Sequence, residues 1–110
     1  MIVLLSIDTA LTKQIKKIEN VEMATGILDC YAILDEPDME CDILILDAML
    51  VDGNFFDWII EKNLFIKKII IYFRTNDYAR FASSVSKLHK AHYSTYLIPT
   101  EQLVKAMETL

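Results

Sequence analysis

Short aliphatic runs that each stop at a polar residue punctuate the chain. Ile2 to Ile7 runs into Asp8-Thr9, Ile43-Leu44-Ile45-Leu46 ends at Asp47, and Ile69 to Phe73 ends at Arg74-Thr75-Asn76-Asp77. Apolar runs of this length without alternation suit strands covered on both faces, as in a parallel sheet. Between them the period changes. From Ala10, apolar residues recur at Leu11, Ile15 and Ile18, with Lys13, Gln14, Lys16 and Lys17 forming the solvated face of a helix. Asp52-Gly53-Asn54 is turn chemistry before a helix from Phe55 to Ile60, and a further helix is expected from Tyr78 to about His89. Tyr93 to Ile98 reads as the last strand. Thr100 then caps a closing helix through Gln102-Leu103 and Met107, with Pro99 just before the cap. The signals are weakest from Val21 to Leu28, where Val21, Met23 and Ile27 around Gly26 suggest a short strand, and from Asp29 to Asp35, which suggests a short helix stopped before Pro37.

Alternating strands and helices require right-handed parallel crossovers. The expected fold is therefore α/β, a five-stranded parallel sheet with helices on both faces, its functional groups at the carboxyl ends of the strands. Residues 1–110 read as one domain with no repeat or linker, a module that could open a longer protein. An apolar content of 54% is ample for one continuous core. The formal charge is -5, and no basic run exceeds Lys16-Lys17 or Lys67-Lys68, which argues against nucleic acid as a partner. No apolar run approaches the roughly 18 residues of a membrane helix, so a cytoplasmic protein that does not contact membrane is expected. Cys30 and Cys41 lack metal-ligand spacing and are expected as free thiols. His89 and His92 read as a surface pair at a helix end, and no metal site is expected.

The stretch Cys41-Asp42-Ile43-Leu44-Ile45-Leu46-Asp47-Ala48-Met49-Leu50-Val51-Asp52-Gly53-Asn54-Phe55-Phe56-Asp57 resembles the segment of response-regulator receiver domains that carries the phospho-accepting aspartate. Asp47 matches the phosphoacceptor. The resemblance extends over the whole chain, including Tyr96-Leu97-Ile98-Pro99, which looks like the family's final strand and Lys-Pro. It implies the flavodoxin-like receiver fold and a place in two-component signal transduction. In that family an acidic pair after the first strand joins the phosphoacceptor in holding Mg²⁺, a hydroxyl after the fourth strand senses the phosphoryl group, and a lysine neutralises it.

The chain departs from that pattern at most of these positions. Ser6-Ile7 stands where the acidic pair belongs, with Asp8 one step further on and available as the cap of the first helix. Asp47 and Asp8 alone make a poor octahedral site, so weak or absent Mg²⁺ binding is expected. At the lysine position stands Ile98, or a one-residue deletion. The switch hydroxyl is Thr75 if spacing from Asp47 sets the register, or is replaced by Arg74 if the end of the apolar run does. An Arg74–Asp47 ion pair would then substitute for both metal and lysine. Val51 replaces the usual proline and Phe55 the usual glycine, and Phe55 is expected to lie over the Asp47 pocket. Tyr96 resembles the family's aromatic signalling position.

The resemblance and its gaps imply a degenerate receiver, or pseudo-receiver. Such a module is not an enzyme; it interacts and dimerises without phosphorylation and needs no cofactor. Atypical receivers at the amino end of pilus-assembly ATPases of the tight-adherence type, which also lack parts of the acidic pocket, are similar. The partners implied are proteins: a second copy through the face made by the fourth helix, last strand and last helix (Tyr78 to Leu110), an output domain, or a histidine kinase. The alternative is a conventional phosphorelay receiver in which Asp47 accepts a phosphoryl group with Mg²⁺, gaining about -1.5 to -2 of charge. A flavodoxin-like ligand binder or enzyme ranks last, because with only Gly26 and Gly53 no glycine-rich phosphate loop can follow the first strand.

Overall fold

The computed structural model describes residues 1–17, 20–74 and 77–109; Ile18 and Thr75 fall outside them. Five strands, β1 (Ile2–Leu5), β2 (Val21–Ala24), β3 (Cys41–Asp47), β4 (Ile66–Phe73) and β5 (Ser94–Pro99), form one sheet in the order β2-β1-β3-β4-β5. Every pair is parallel. Helices α1 (Thr9–Ile15), α2 (Ile27–Leu34), α3 (Gly53–Lys62) and α4 (Ala82–Lys90) lie in the crossovers, and α5 (Leu103–Thr109) follows the last strand to complete the flavodoxin-like α/β fold. No helix among the described residues is long and apolar enough to cross a membrane.

Successive side chains of a strand point to opposite faces, so each strand feeds two cores. Val3, Leu5, Leu44, Leu46, Ile69 and Ile71 meet α2, α3 and α4 on one face. Leu4, Ile45, Ile70 and Tyr72 meet Leu11 and Ile15 of α1 and Leu103 of α5 on the other. Cys30 and Cys41 are free thiols in the first of these cores.

Local chemistry sets the helix ends. Asp8 Oδ1 accepts from the Leu11 amide at 3.1 Å and caps α1; Asp52 Oδ1 does the same for the Phe55 amide at 3.2 Å and caps α3. Asn63, in the left-handed region at φ 51°, ends α3.

The structure corrects several expected boundaries. β1 stops at Leu5, and Ile7 is 59% exposed in the following loop, because Asp8 must leave the sheet to cap α1. The segment after β4 begins as a 3-10 turn (Asp77–Phe81) and becomes α-helical only at Ala82. Thr100 does not cap the closing helix. Its hydroxyl donates to the Phe73 carbonyl at 3.0 Å, tying the end of β5 to the end of β4, and a 3-10 turn (Thr100–Gln102) leads into α5.

Candidate functional site

Ladder register brings the polar groups together. Leu5 pairs with Leu46, Leu46 with Ile71, and Asp47 with Tyr72, which pairs with Ile98. Ser6, Asp47, Tyr72 and Ile98 therefore form one row across the carboxyl ends of β1, β3, β4 and β5, on the face covered by α1 and α5. Ser6 and Asp47 are almost wholly buried, at 2% and 1% exposure, and Tyr72 is completely so. A buried carboxylate is tolerable only when its oxygens have partners.

Asp47 finds them within its own chain. Oδ1 accepts from the Met49 amide at 2.9 Å. Oδ2 lies 3.3 Å from the Tyr72 hydroxyl and 3.5 Å from Arg74 Nη2. The Tyr72 hydroxyl also sits 2.5 Å from Ser6 Oγ, and Ser6 Oγ accepts from the Asp8 amide at 3.1 Å. Tyr72 has one proton and a carboxylate can only accept, so that proton belongs to Asp47 and the Ser6 hydroxyl donates to the Tyr72 oxygen. Burial holds the Tyr72 phenol well above its usual range; the Ser6 hydrogen bond opposes the rise and the neighbouring Asp47 charge adds to it. The phenol is a fixed neutral donor at physiological pH.

The ion pair expected between Arg74 and Asp47 is present. The same Nη2 lies 3.4 Å from Asp8 Oδ2, so one guanidinium bridges the two carboxylates. Arg74 is 43% exposed, and solvent screens its outer side. Mg²⁺ does not fit this arrangement. The carboxylates that would supply its charge already share the guanidinium, and the remaining oxygens of Asp47 and Asp8 accept from backbone amides. Among the described residues no group of three or more His, Cys, Asp or Glu side chains could hold a metal ion.

Of the site residues expected from the sequence, Ser6, Asp8, Asp47 and Arg74 converge, while Thr75 lies outside the described residues. Ile98 occupies the row beside Tyr72 and packs on the α1–α5 core, so the position offers an aliphatic chain where a lysine would bring an amine. The expectation that Phe55 covers the Asp47 pocket is wrong. Phe55 is fully buried in the opposite core, with its ring centroid 5.3 Å from Tyr31 and 5.7 Å from Phe56. The Asp52 cap fixes the phase of α3 and turns that side chain beneath the sheet. Val51 is buried in the same core.

Tyr72 is the participant that sequence reasoning missed, as one more apolar position in the run Ile69 to Phe73. It is a core residue, but its hydroxyl is part of the site. The Arg80 guanidinium donates to the Ala48 carbonyl at 2.7 Å and lies over the Phe81 ring, pinning the loop after Asp47. His89 and His92 are exposed and stand apart from the site. Tyr96 is 44% exposed on β5, also away from the site.

Removing the Tyr72 hydroxyl tests the network. Tyr72→Phe should cost about 1–3 kcal/mol in urea unfolding, because it leaves a buried carboxylate oxygen short of a donor. Ser6→Ala should lose part of its own effect in the Tyr72→Phe background, since the two hydroxyls share one bond. A Tyr72→Phe loss below about 0.5 kcal/mol would show that the hydroxyl is not engaged.

The fold and site together define an α/β protein of the flavodoxin-like kind, with a closed polar cluster where such folds keep their functional groups. No family model matches the sequence, and no curated protein matches it at a significant level.

Proposed function

We propose that this chain is a degenerate receiver domain, a non-enzymatic protein-interaction module in signal transduction that works without phosphorylation. One observation carries this reading: both oxygens of Asp47 are already satisfied by the chain's own Met49 amide, Tyr72 hydroxyl and Arg74 guanidinium. A phosphoacceptor needs an oxygen free to attack and a cation to neutralise the incoming phosphoryl group. Here the cation is a side chain, and the donors converge on the carboxylate itself. The interaction half of the proposal is supported by the α4–β5 face. Ala79, Ala82, Val85 and Leu97 line an open groove of about 680 Å³ there, and Tyr96 is exposed on the other face of β5.

Incubation with Mg²⁺ and acetyl phosphate, read by intact mass, tests the proposal. No adduct is expected on the wild-type chain. A phosphoryl adduct that disappears in Asp47→Ala would overturn the proposal in favour of a conventional phospho-accepting receiver.

A further inference from the structure

α2 lacks the charged outer face that a surface helix ordinarily carries. In Ile27–Leu34 the sole charged residue is Asp29. Cys30 and Leu34 point into the core and Ile27, Tyr31 and Ile33 pack at its margin, which leaves Leu28 and Ala32 outside, one turn apart on the solvent face. Leu28 is 79% exposed, the most of any large apolar side chain among the described residues. Tyr31, three positions after Leu28, meets Trp58 of α3 edge-on at 4.7 Å, and both are half-buried, so the apolar strip continues from α2 onto α3.

The strip is set in negative charge. No Lys, Arg or His stands between Lys17 and Lys62, a stretch that holds most of the chain's 16 acidic residues. Asp29 adjoins Leu28, and Asp35, Glu36, Asp38 and Glu40 follow α2, all of them exposed. Lys62, 3.8 Å from Asp35, offsets part of this charge from the end of α3. The field reaches the strip itself: burial raises the Tyr31 phenol most, and the Asp52 charge adds to the rise.

We propose that the outer face of α2 binds a basic amphipathic helix of a second protein, whose apolar stripe covers Leu28, Tyr31, Ala32 and Trp58 while its Lys and Arg side chains meet Asp29, Asp35 and Glu36. The inference rests on the interaction-module reading and gives it a partner of stated chemistry. Charge selects among the surfaces that would cover an apolar strip. A second copy laid α2 against α2 would bring the same acids face to face, and an anionic lipid surface would be repelled likewise; a cationic partner turns each of those charges into an attraction. Leu28, Tyr31, Ala32 and Asp35, spaced at three and four residues, form a ridge of the kind a partner helix packs beside.

The probe is a synthetic helix of about 18 residues made of leucine and lysine, with leucine at the i, i+3, i+4 and i+7 positions. Added to the whole chain, it should shift the backbone amides of residues 28–36 and the emission of Trp58. Its affinity should fall roughly 10-fold or more in Leu28→Gln, and by a similar factor in Asp29→Asn with Glu36→Gln, and should weaken as salt is raised. The urea midpoint of Leu28→Gln should match wild type, because the side chain is exposed. Glu101→Gln, an exposed acid after β5 on the opposite edge of the sheet, should leave the affinity unchanged. Amide shifts that map elsewhere, an affinity indifferent to Leu28→Gln, or an equal loss in Glu101→Gln would each overturn the inference. Self-association of the chain, or binding to vesicles of phosphatidylcholine and phosphatidylglycerol, that Leu28→Gln abolishes would overturn it too, by giving the face to a second copy or to lipid. None of these results changes the acetyl phosphate outcome, so the failure of this inference and the failure of the phosphorylation-independent reading are distinguishable.

Discussion

Raised from neutral pH to about pH 11, the protein should lose on the order of 5 kcal/mol of stability through its two thiols alone. Burial pushes Cys30 up to about 12 and Cys41 up to about 11, from an ordinary value of 9.0. A folded value above the unfolded one means that the stabilising contribution is complete below about pH 9. It is lost as pH climbs through the raised values, because the unfolded chain releases protons that the folded chain retains. Each group costs about 1.4 kcal/mol per pH unit within its window. The phenols of Tyr72 and Tyr93, also raised by burial, act in the same direction at higher pH. Urea unfolding at pH 7, 9, 10 and 11 measures the slope. Cys30→Ala with Cys41→Ala should flatten the part between pH 9 and 11, and an unchanged slope in that double variant would place the alkaline loss elsewhere.

Phe55→Ala should lower stability by about 3–5 kcal/mol, the range for truncating a fully buried aromatic side chain. The ring fills a cluster with Tyr31, Phe56 and Trp58, and Trp58 packs edge-on to Tyr31 at 4.7 Å. Trp58 is the only tryptophan, so its fluorescence reports both the unfolding transition and any loosening of this cluster in the folded state. A loss under about 1 kcal/mol with unchanged Trp58 emission would contradict a core role, since a surface flap has little packing to forfeit.

The aliphatic runs carried the fold because a strand buried on both faces cannot be written in any other way. Ile43–Leu46 and Ile69–Phe73 each announced a central strand, and the polar residues that ended them marked the functional end of the sheet. Asp47 and Arg74 were legible for that reason. Tyr72 was not, because within Ile69-Ile70-Ile71-Tyr72-Phe73 nothing distinguishes a core aromatic from one whose hydroxyl ends beside a carboxylate. The period of two puts Tyr72 and Arg74 on one face, but only the pairing of Asp47 with Tyr72 reveals which face that is. Phe55 was placed on the wrong side of the sheet although a signal existed. Asp52 is a capping residue three positions upstream, and a helix starting there turns Phe55, Phe56 and Ile59 inward together.

Arg74 lends the cluster a property that no bound ion could. A guanidinium is covalently attached, so it has no dissociation constant. The charge beside Asp8 and Asp47 is thus present from the moment the chain folds, in one copy per domain, indifferent to ion supply, chelators or competition between metals.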